Sequence, residues 1–453
     1  PEESSYLDYL YKWYLWHWAY RELTAQYPTI CIPDDHDVFQ GNLWGWEGRH
    51  VSMNNADGGY VMSAEFVKMV ERTQTANLPD PYDPTPVERG IGAYYTSLKY
   101  GGVDFAILED RKFKTPSAEP FRSEINDRVA ALRRHKGESH APRKSEVPEG
   151  SILGDRQLRF LRDWATDWRE VEMKVAVSQT IFACVNTGGS IEPAEPRLDR
   201  DSNGWPPAAR NQALEELRKA FAFMIGGDQH LGSIVHHGID EFGDAGFSLC
   251  VPSIANYWTR YWSPIKAGEN RLPDSPGYTG DFFDGFANRI TVHAVANPKG
   301  PAELSPIELE RGRSELYRKA AGYGITRFDK RDRTITIECW PRWATPSEGG
   351  EDQFPGWPLT IRQEDNYARP TELFLSEIRV AGMVDPVIQV VLENTDEILY
   401  TLRIKGVTYR PRVFEEGSYA VLVGEPGTDD WKKVSGLTAG RAEEGDELLV
   451  DFR

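Results

Sequence analysis

Thr29 to Gly45 reads TICIPDDHDVFQGNLWG, and the fold is decided by how this stretch is read. The apolar run Thr29-Ile30-Cys31-Ile32 predicts a buried strand that stops at Pro33. Asp34, Asp35, His36 and Asp37 follow at once, and Asn42 stands a little further on among glycines and a tryptophan. A loop at the carboxyl end of a buried strand is where open α/β sheets place their chemistry. Carboxylates suit hard metal ions, and an imidazole suits metal binding or proton transfer. The competing reading is an acidic turn closed by a capping aspartate, since turns are rich in Asp.

Working outward, the same unit recurs. Upstream, Ser5 is placed to cap a helix from Tyr6 to Gln26, with Leu7, Leu10, Tyr14 and Trp18 on one stripe that Leu15 widens. Downstream, a helix is expected from Ala64 to Thr73, and a loop at PDPYDPTP. Tyr94 to Lys114 predicts a hairpin through Gly101-Gly102 that runs into Glu109, Asp110 and Arg111. Phe121 to Gly150 is charged and reads as an exposed insertion. A helix opening at Asp155 carries Leu158, Leu161, Trp164 and Trp168, and leads into a strand, Lys174 to Val177, that ends in Ser178-Gln179-Thr180. Another, from near Pro207, carries Leu214, Leu217 and Phe221, and leads into Ala222 to Ile225 and then Gly226-Gly227-Asp228-Gln229-His230. Helix, buried strand and terminal polar cluster thus occur three times, which predicts a layered α/β fold with its site along one sheet edge.

Further strands are expected at Phe247 to Ile254, Arg289 to Ala296 and Thr334 to Trp340. From about Gly349, short alternating runs separated by Gly, Pro and Asp predict a small all-β domain. The expected division is 1–345 for the core and 346–453 for the β-rich part.

Composition bounds the partners. A net charge of -18 argues against nucleic acid and anionic membrane surfaces. No apolar run reaches the ~18 residues of a membrane span. Cys31, Cys184, Cys250 and Cys339 form no CxxC pair and read as free thiols. The 14 Trp and 20 Tyr favour an aromatic-rich core or a groove that selects an organic leaving group, and those after residue 255 serve either reading.

Two clusters carry chemistry: Asp35-His36 with Asn42, and Asp228-x-His230 after two glycines that let the chain turn so both side chains can face one metal. DDHD stands where metallophosphoesterases have GNH[DE], and GDQH where they have GHxH. This arrangement resembles the PhoD-like alkaline phosphatase family in particular. YYTSLKYGGVDFAILEDRKFK is similar to that family's hairpin ending in an acidic-Arg pair, and DSNGWPPAARNQAL to its substrate-side loop and helix. The resemblance covers about residues 5 to 340. It implies an αββα core, and metal-dependent hydrolysis of phosphate monoesters or diesters by a metal-activated water. It also implies Asp35, Asn42, Asp228 and His230 as metal ligands, and His36 as the group that protonates the leaving oxygen. Asp34 and Asp37 lie beside these. Arg111 is expected either at the substrate or in a pair with Asp110, and Asp201 at the substrate or in a turn. Iron with calcium is the metal set the family implies, with zinc or manganese open, and an exported location is the family's habit. The family's upstream Cys and Asp-x-x-Tyr cluster has no equivalent before Tyr27, so a missing amino-terminal segment is expected. Two other readings compete. One is a binding protein that keeps the fold without its metals. The other, a glycosidase using Glu109 and Asp110, ranks low because adjacent strand residues point to opposite faces.

Overall fold

Strand runs such as Val103 to Ile107 and Met173 to Val177 are apolar at almost every position, the pattern of a sheet covered on both faces. The computed structural model describes residues 2–38, 62–115, 150–188, 193–255, 260–297, 320–348, 353–441 and 447–453. Asn42 and nearly all of the predicted insertion lie outside them. Eight strands form the main sheet: β1 (Thr96–Tyr100), β2 (Val103–Ile107), β3 (Met173–Thr180), β4 (Phe223–Gly227), β5 (Ser233–His237), β6 (Phe247–Cys250), β7 (Gly280–Phe283) and β8 (Arg289–Val295). Their order is β1-β2-β3-β4-β6-β5-β8-β7, parallel from β2 through β3 and β4 to β6 and antiparallel elsewhere.

Alternation along the strands sorts the two faces. Ala106, Ala176 and Met224 turn towards Leu161 and Trp164 of α3 (Gly154–Thr166) and Leu214 and Leu217 of α4 (Pro207–Arg218). Val103, Val175, Phe223 and Leu249 turn the other way, onto Ile335, Ile337 and Ile361 of a second sheet. That sheet consists of β9 (Gly322–Asp329), β10 (Thr334–Pro341) and β11 (Leu359–Arg362), all antiparallel. The order is helices, large sheet, small sheet, a mixed α/β protein with few helices among the described residues.

Beyond β11 the described elements are strands and one short 3-10 turn. Glu397–Arg403, Val387–Leu392, Ser418–Gly424 and Trp431–Thr438 form an antiparallel sheet in that order. Its buried residues join Trp168, Val171 and Phe221 in one cluster, and the Arg403 guanidinium donates to the Val171 and Trp168 carbonyls at 2.6 and 3.0 Å.

Two expectations differ from the structure. Thr29 to Ile32 is half-buried coil rather than a buried strand, because among the described residues no neighbour supplies a ladder for its backbone groups. The first helix, α1 (Glu2–Thr24), begins before Ser5 and is apolar on two sides. The expected stripe is exposed, Leu7 at 65% and Trp18 at 57%, whereas Tyr6 and Tyr9 meet Phe66 of α2 (Ala64–Gln74) edge-on at 5.2 and 5.9 Å. α2 is capped instead by Ser63, whose Oγ accepts from the Phe66 N–H. Of the aromatics after residue 255, Trp262, Phe286, Trp340 and Trp357 are buried in the cores, the packed-core alternative of the two left open. All four cysteines are free, Cys31 half-buried and the others buried.

Candidate functional site

The parallel strands β2, β3 and β4 end side by side, and the residues just past those ends build the site. The DDHD stretch arrives as a single 3-10 turn, Asp35–Val38. Asp37 closes it: its carboxylate accepts from the Asp34 N–H at 2.8 Å, so this residue does the work of a turn aspartate. Asp35 is fully buried and accepts the His36 N–H at 2.8 Å, whereas the His36 ring is 69% exposed. Asp34 is partly open to solvent, but its Oδ1 is buried.

After β2, the chain makes a tight acidic turn. Glu109 accepts from the backbone of Arg111 and Lys112, and burial first of all pushes its carboxyl up to about 8. Asp110 faces elsewhere, accepting from the Gln179 and Thr180 N–H groups at the end of β3 and from Asn203. The two adjacent carboxyls therefore serve different neighbourhoods.

Arg111 is the hub. Its guanidinium, wholly buried, lies 2.6 Å from Asp228 and 2.7 Å from Asp201, and within 3.7 and 4.0 Å of Asp34 and Asp35. The partner considered in the sequence, Asp110, is not among these. Asp228 follows β4 with φ of 63° and His230 with φ of 56°, left-handed conformations that turn the chain sharply beyond Gly227. Gln229 fixes the turn by donating to Thr180 Oγ1 at 3.0 Å and to Asp228 at 2.7 Å. Arg260 meets Asp199 at 2.9 Å and Asp201 at 3.3 Å. Lys114 donates to the carbonyls of Arg200, Asp201 and Ser202.

Charge is unbalanced here. Asp34, Asp35, Asp199, Asp201 and Asp228 face three basic groups, Arg111, Arg260 and Lys114. Burial raises the carboxyls of Asp34 and Asp35 well above the carboxylate range, with Asp228 and Asp201 adding repulsion and Arg111 opposing. Burial likewise pushes Asp228 up to about 6 against the pull of Arg111. Asp201 is buried too, but Arg111, Arg260 and Lys114 hold it below the usual range. A compact set of acids that would have to hold protons to be neutral is a set that a hard cation would satisfy. Oxygen atoms of Asp34, Asp35 and Asp228 lie within 4.8 Å of one another, and Asp34 Oδ1 and Asp35 Oδ2 are buried with no hydrogen bond among the described residues. These donors fit a cation that prefers oxygen.

Of the residues read from sequence, the fold thus gathers Asp34, Asp35, Asp228, Arg111 and Asp201. His230 lies outside the carboxylate trio, His36 stands at its solvent side, and Asn42 is not among the described residues. Sequence reading passed over Arg260, Asp199, Lys114 and Gln229. Lys114, Gln229 and Asp199 had a local signal, each within three residues of a residue already singled out, and Arg260 had none.

The fold and site define an α/β protein with a buried carboxylate centre at the carboxyl ends of parallel strands. The chain belongs to the PhoD-like phosphatase family, whose model matches residues 6–256. A solved structure of PhoD is 13% identical to it over 92% of this chain, with a TM-score of 0.36. This chain spans 56% of that one. No curated protein matches.

Proposed function

We propose that this protein is a metal-dependent hydrolase of phosphate esters, a phosphomonoesterase or phosphodiesterase of the PhoD type. The observation that carries the reading is the convergence of Asp34, Asp228 and the fully buried Asp35, with two buried carboxyl oxygens left without hydrogen bonds among the described residues. Asp35 and Asp228, with Asp34 beside them and Asn42 and His230 by family resemblance, would hold the metals. Oxygen-rich donors suit iron with calcium, and zinc or manganese are the other choices. When bound, the metals supply charge for the phosphoryl oxygens and an activated water.

The chain's own residues do the rest. Arg111 and Arg260 orient Asp228, Asp201 and Asp199. Arg111 and Asp201 are buried, so we assign them to positioning the carboxylates rather than to touching substrate. The His36 ring faces solvent beside Asp35, where it can deliver a proton to the departing oxygen, an effect typically worth about 10²–10⁴-fold. The finer architecture that goes with this reading is an αββα core over 1–345 and an all-β region over 346–453. The helix–sheet–sheet order supports three of the four layers.

One observation favours a second reading. Arg111 sits 2.6 Å from Asp228, an internal cation that a non-catalytic, metal-free member of the fold would use. Elemental mass spectrometry, paired with hydrolysis of p-nitrophenyl phosphate and its bis ester, separates the two. About two metals per chain, with metal and activity both lost in Asp35→Ala while the fold persists by circular dichroism, supports the hydrolase. The same metal-free, inactive result for wild type supports the second reading.

A further inference from the structure

Beside the DDHD turn lies a cavity of about 910 Å³ between α1 and α2. Its walls include Tyr9, Trp13, Trp16 and Phe66, and His36 and Asp37 line it as well. The proposed proton donor therefore opens onto an aromatic chamber. Trp13 and Trp16 stack flat, 5.1 Å between centroids and 3° apart, and Tyr9 stands edge-on to Phe66 at 5.9 Å. Such faces take a further ring by offset stacking or edge contact. The volume lies within the range of small-molecule pockets.

Charge says which part of an ester would enter. Asp8 and Lys12, both lining the cavity, pair at 2.7 Å and cancel. Asp37, the other acid of the lining, stands with the proposed proton donor His36, whose charged form offsets it. The lining as a whole then carries no net charge, so it offers a phosphate no counter-charge and accepts an uncharged ring. Resting on the phosphatase reading, we propose that this cavity is the leaving-group site and that it selects esters of flat, uncharged aromatic alcohols, with Trp13 and Trp16 as specificity-determining residues.

Two readouts test this. The first is the ratio of kcat/KM for phenyl phosphate to that for glycerol 2-phosphate, in wild type, Trp13→Ala, Trp16→Ala and the conservative Trp16→Phe. We expect the alanine variants to lower the ratio roughly tenfold and phenylalanine to restore most of it. The second, which needs no catalysis, is equilibrium dialysis of p-nitrophenol in mildly acid buffer, where the phenol is un-ionised. One equivalent should bind wild type and Asp35→Ala, and binding should weaken to the same extent as the ratio falls in the alanine variants. Thermal melts establish that each variant is folded. An unchanged ratio together with unchanged p-nitrophenol binding in folded Trp13→Ala and Trp16→Ala overturns the inference and leaves the hydrolase intact. No hydrolysis of any ester, with p-nitrophenol still bound at the two tryptophans, overturns the hydrolase and the leaving-group role with it, while the aromatic site stands.

Discussion

Replacing Arg111 by Met tests whether one guanidinium holds the acidic centre together. The side chain is fully buried and touches Asp228 at 2.6 Å and Asp201 at 2.7 Å, with Asp34 and Asp35 close behind. At an effective dielectric constant near 20, each of the two close contacts corresponds to about 6 kcal/mol of attraction. Most of that offsets desolvation, and removing one partner of such a buried pair typically costs about 3–5 kcal/mol. The pH dependence is the sharper signature. Without Arg111 the carboxyls of Asp34, Asp35 and Asp228 rise further above their unfolded values. A group whose folded pKa lies above its unfolded pKa stabilises the fold at low pH and loses that contribution as pH rises through the folded pKa. The deficit of the variant against wild type should therefore be smallest near pH 5 and reach about 3–5 kcal/mol near pH 8. Urea titrations with a chelator present, at pH 5, 6.5 and 8, measure it. A deficit that is flat across this range, or that shrinks towards pH 8, would falsify the assignment of Arg111 as the charge that opposes protonation of these acids.

Two further outcomes follow from buried groups. His236 stacks on Phe247 at 3.8 Å, and burial, with His293 adding to it, pushes its imidazole down to about 3. Its folded pKa is depressed below about 6.5, so its neutral form holds full stability above that pH and loses it as pH falls. His236→Phe should accordingly gain on wild type by up to about 2 kcal/mol between pH 7 and pH 5, and an unchanged difference in paired melts would count against a neutral buried ring. Lys114→Met strips the ammonium from the carbonyls of Arg200, Asp201 and Ser202. The Asp201 carbonyl keeps the Arg111 guanidinium at 2.7 Å, so two carbonyls are left bare; at roughly 1–3 kcal/mol for each, the variant should lose about 2 kcal/mol or more in denaturant unfolding, and a loss below about 1 kcal/mol would show the loop is held by other contacts.

Much of this was legible from local pattern. The apolar runs ending in Glu109-Asp110-Arg111, Gln179-Thr180 and Asp228 placed three strand ends, because a strand buried on both faces must be apolar throughout and must stop where polar residues begin. Two matters escaped that logic. α1 has apolar residues on both sides, so periodicity alone chose the stripe that the fold leaves exposed. Thr29 to Ile32 has strand composition, but a strand exists only where a neighbour completes its hydrogen bonds.

Sequence alone established that helices alternate with buried strands in the core, that β-patterned runs dominate the carboxyl-terminal part, and that carboxylates stand just beyond the ends of β2 and β4. These are properties of neighbours along the chain, set by side-chain period and turn chemistry. Only the tertiary structure decided that Arg111, rather than pairing with Asp110 beside it, is surrounded by acids 76 residues before it and 117 after it. The same holds for Arg260 and Lys114, and for the opening of His36 onto the tryptophans of α1. Charge balance in a buried centre depends on distance in space, and spacing along the chain does not encode that distance.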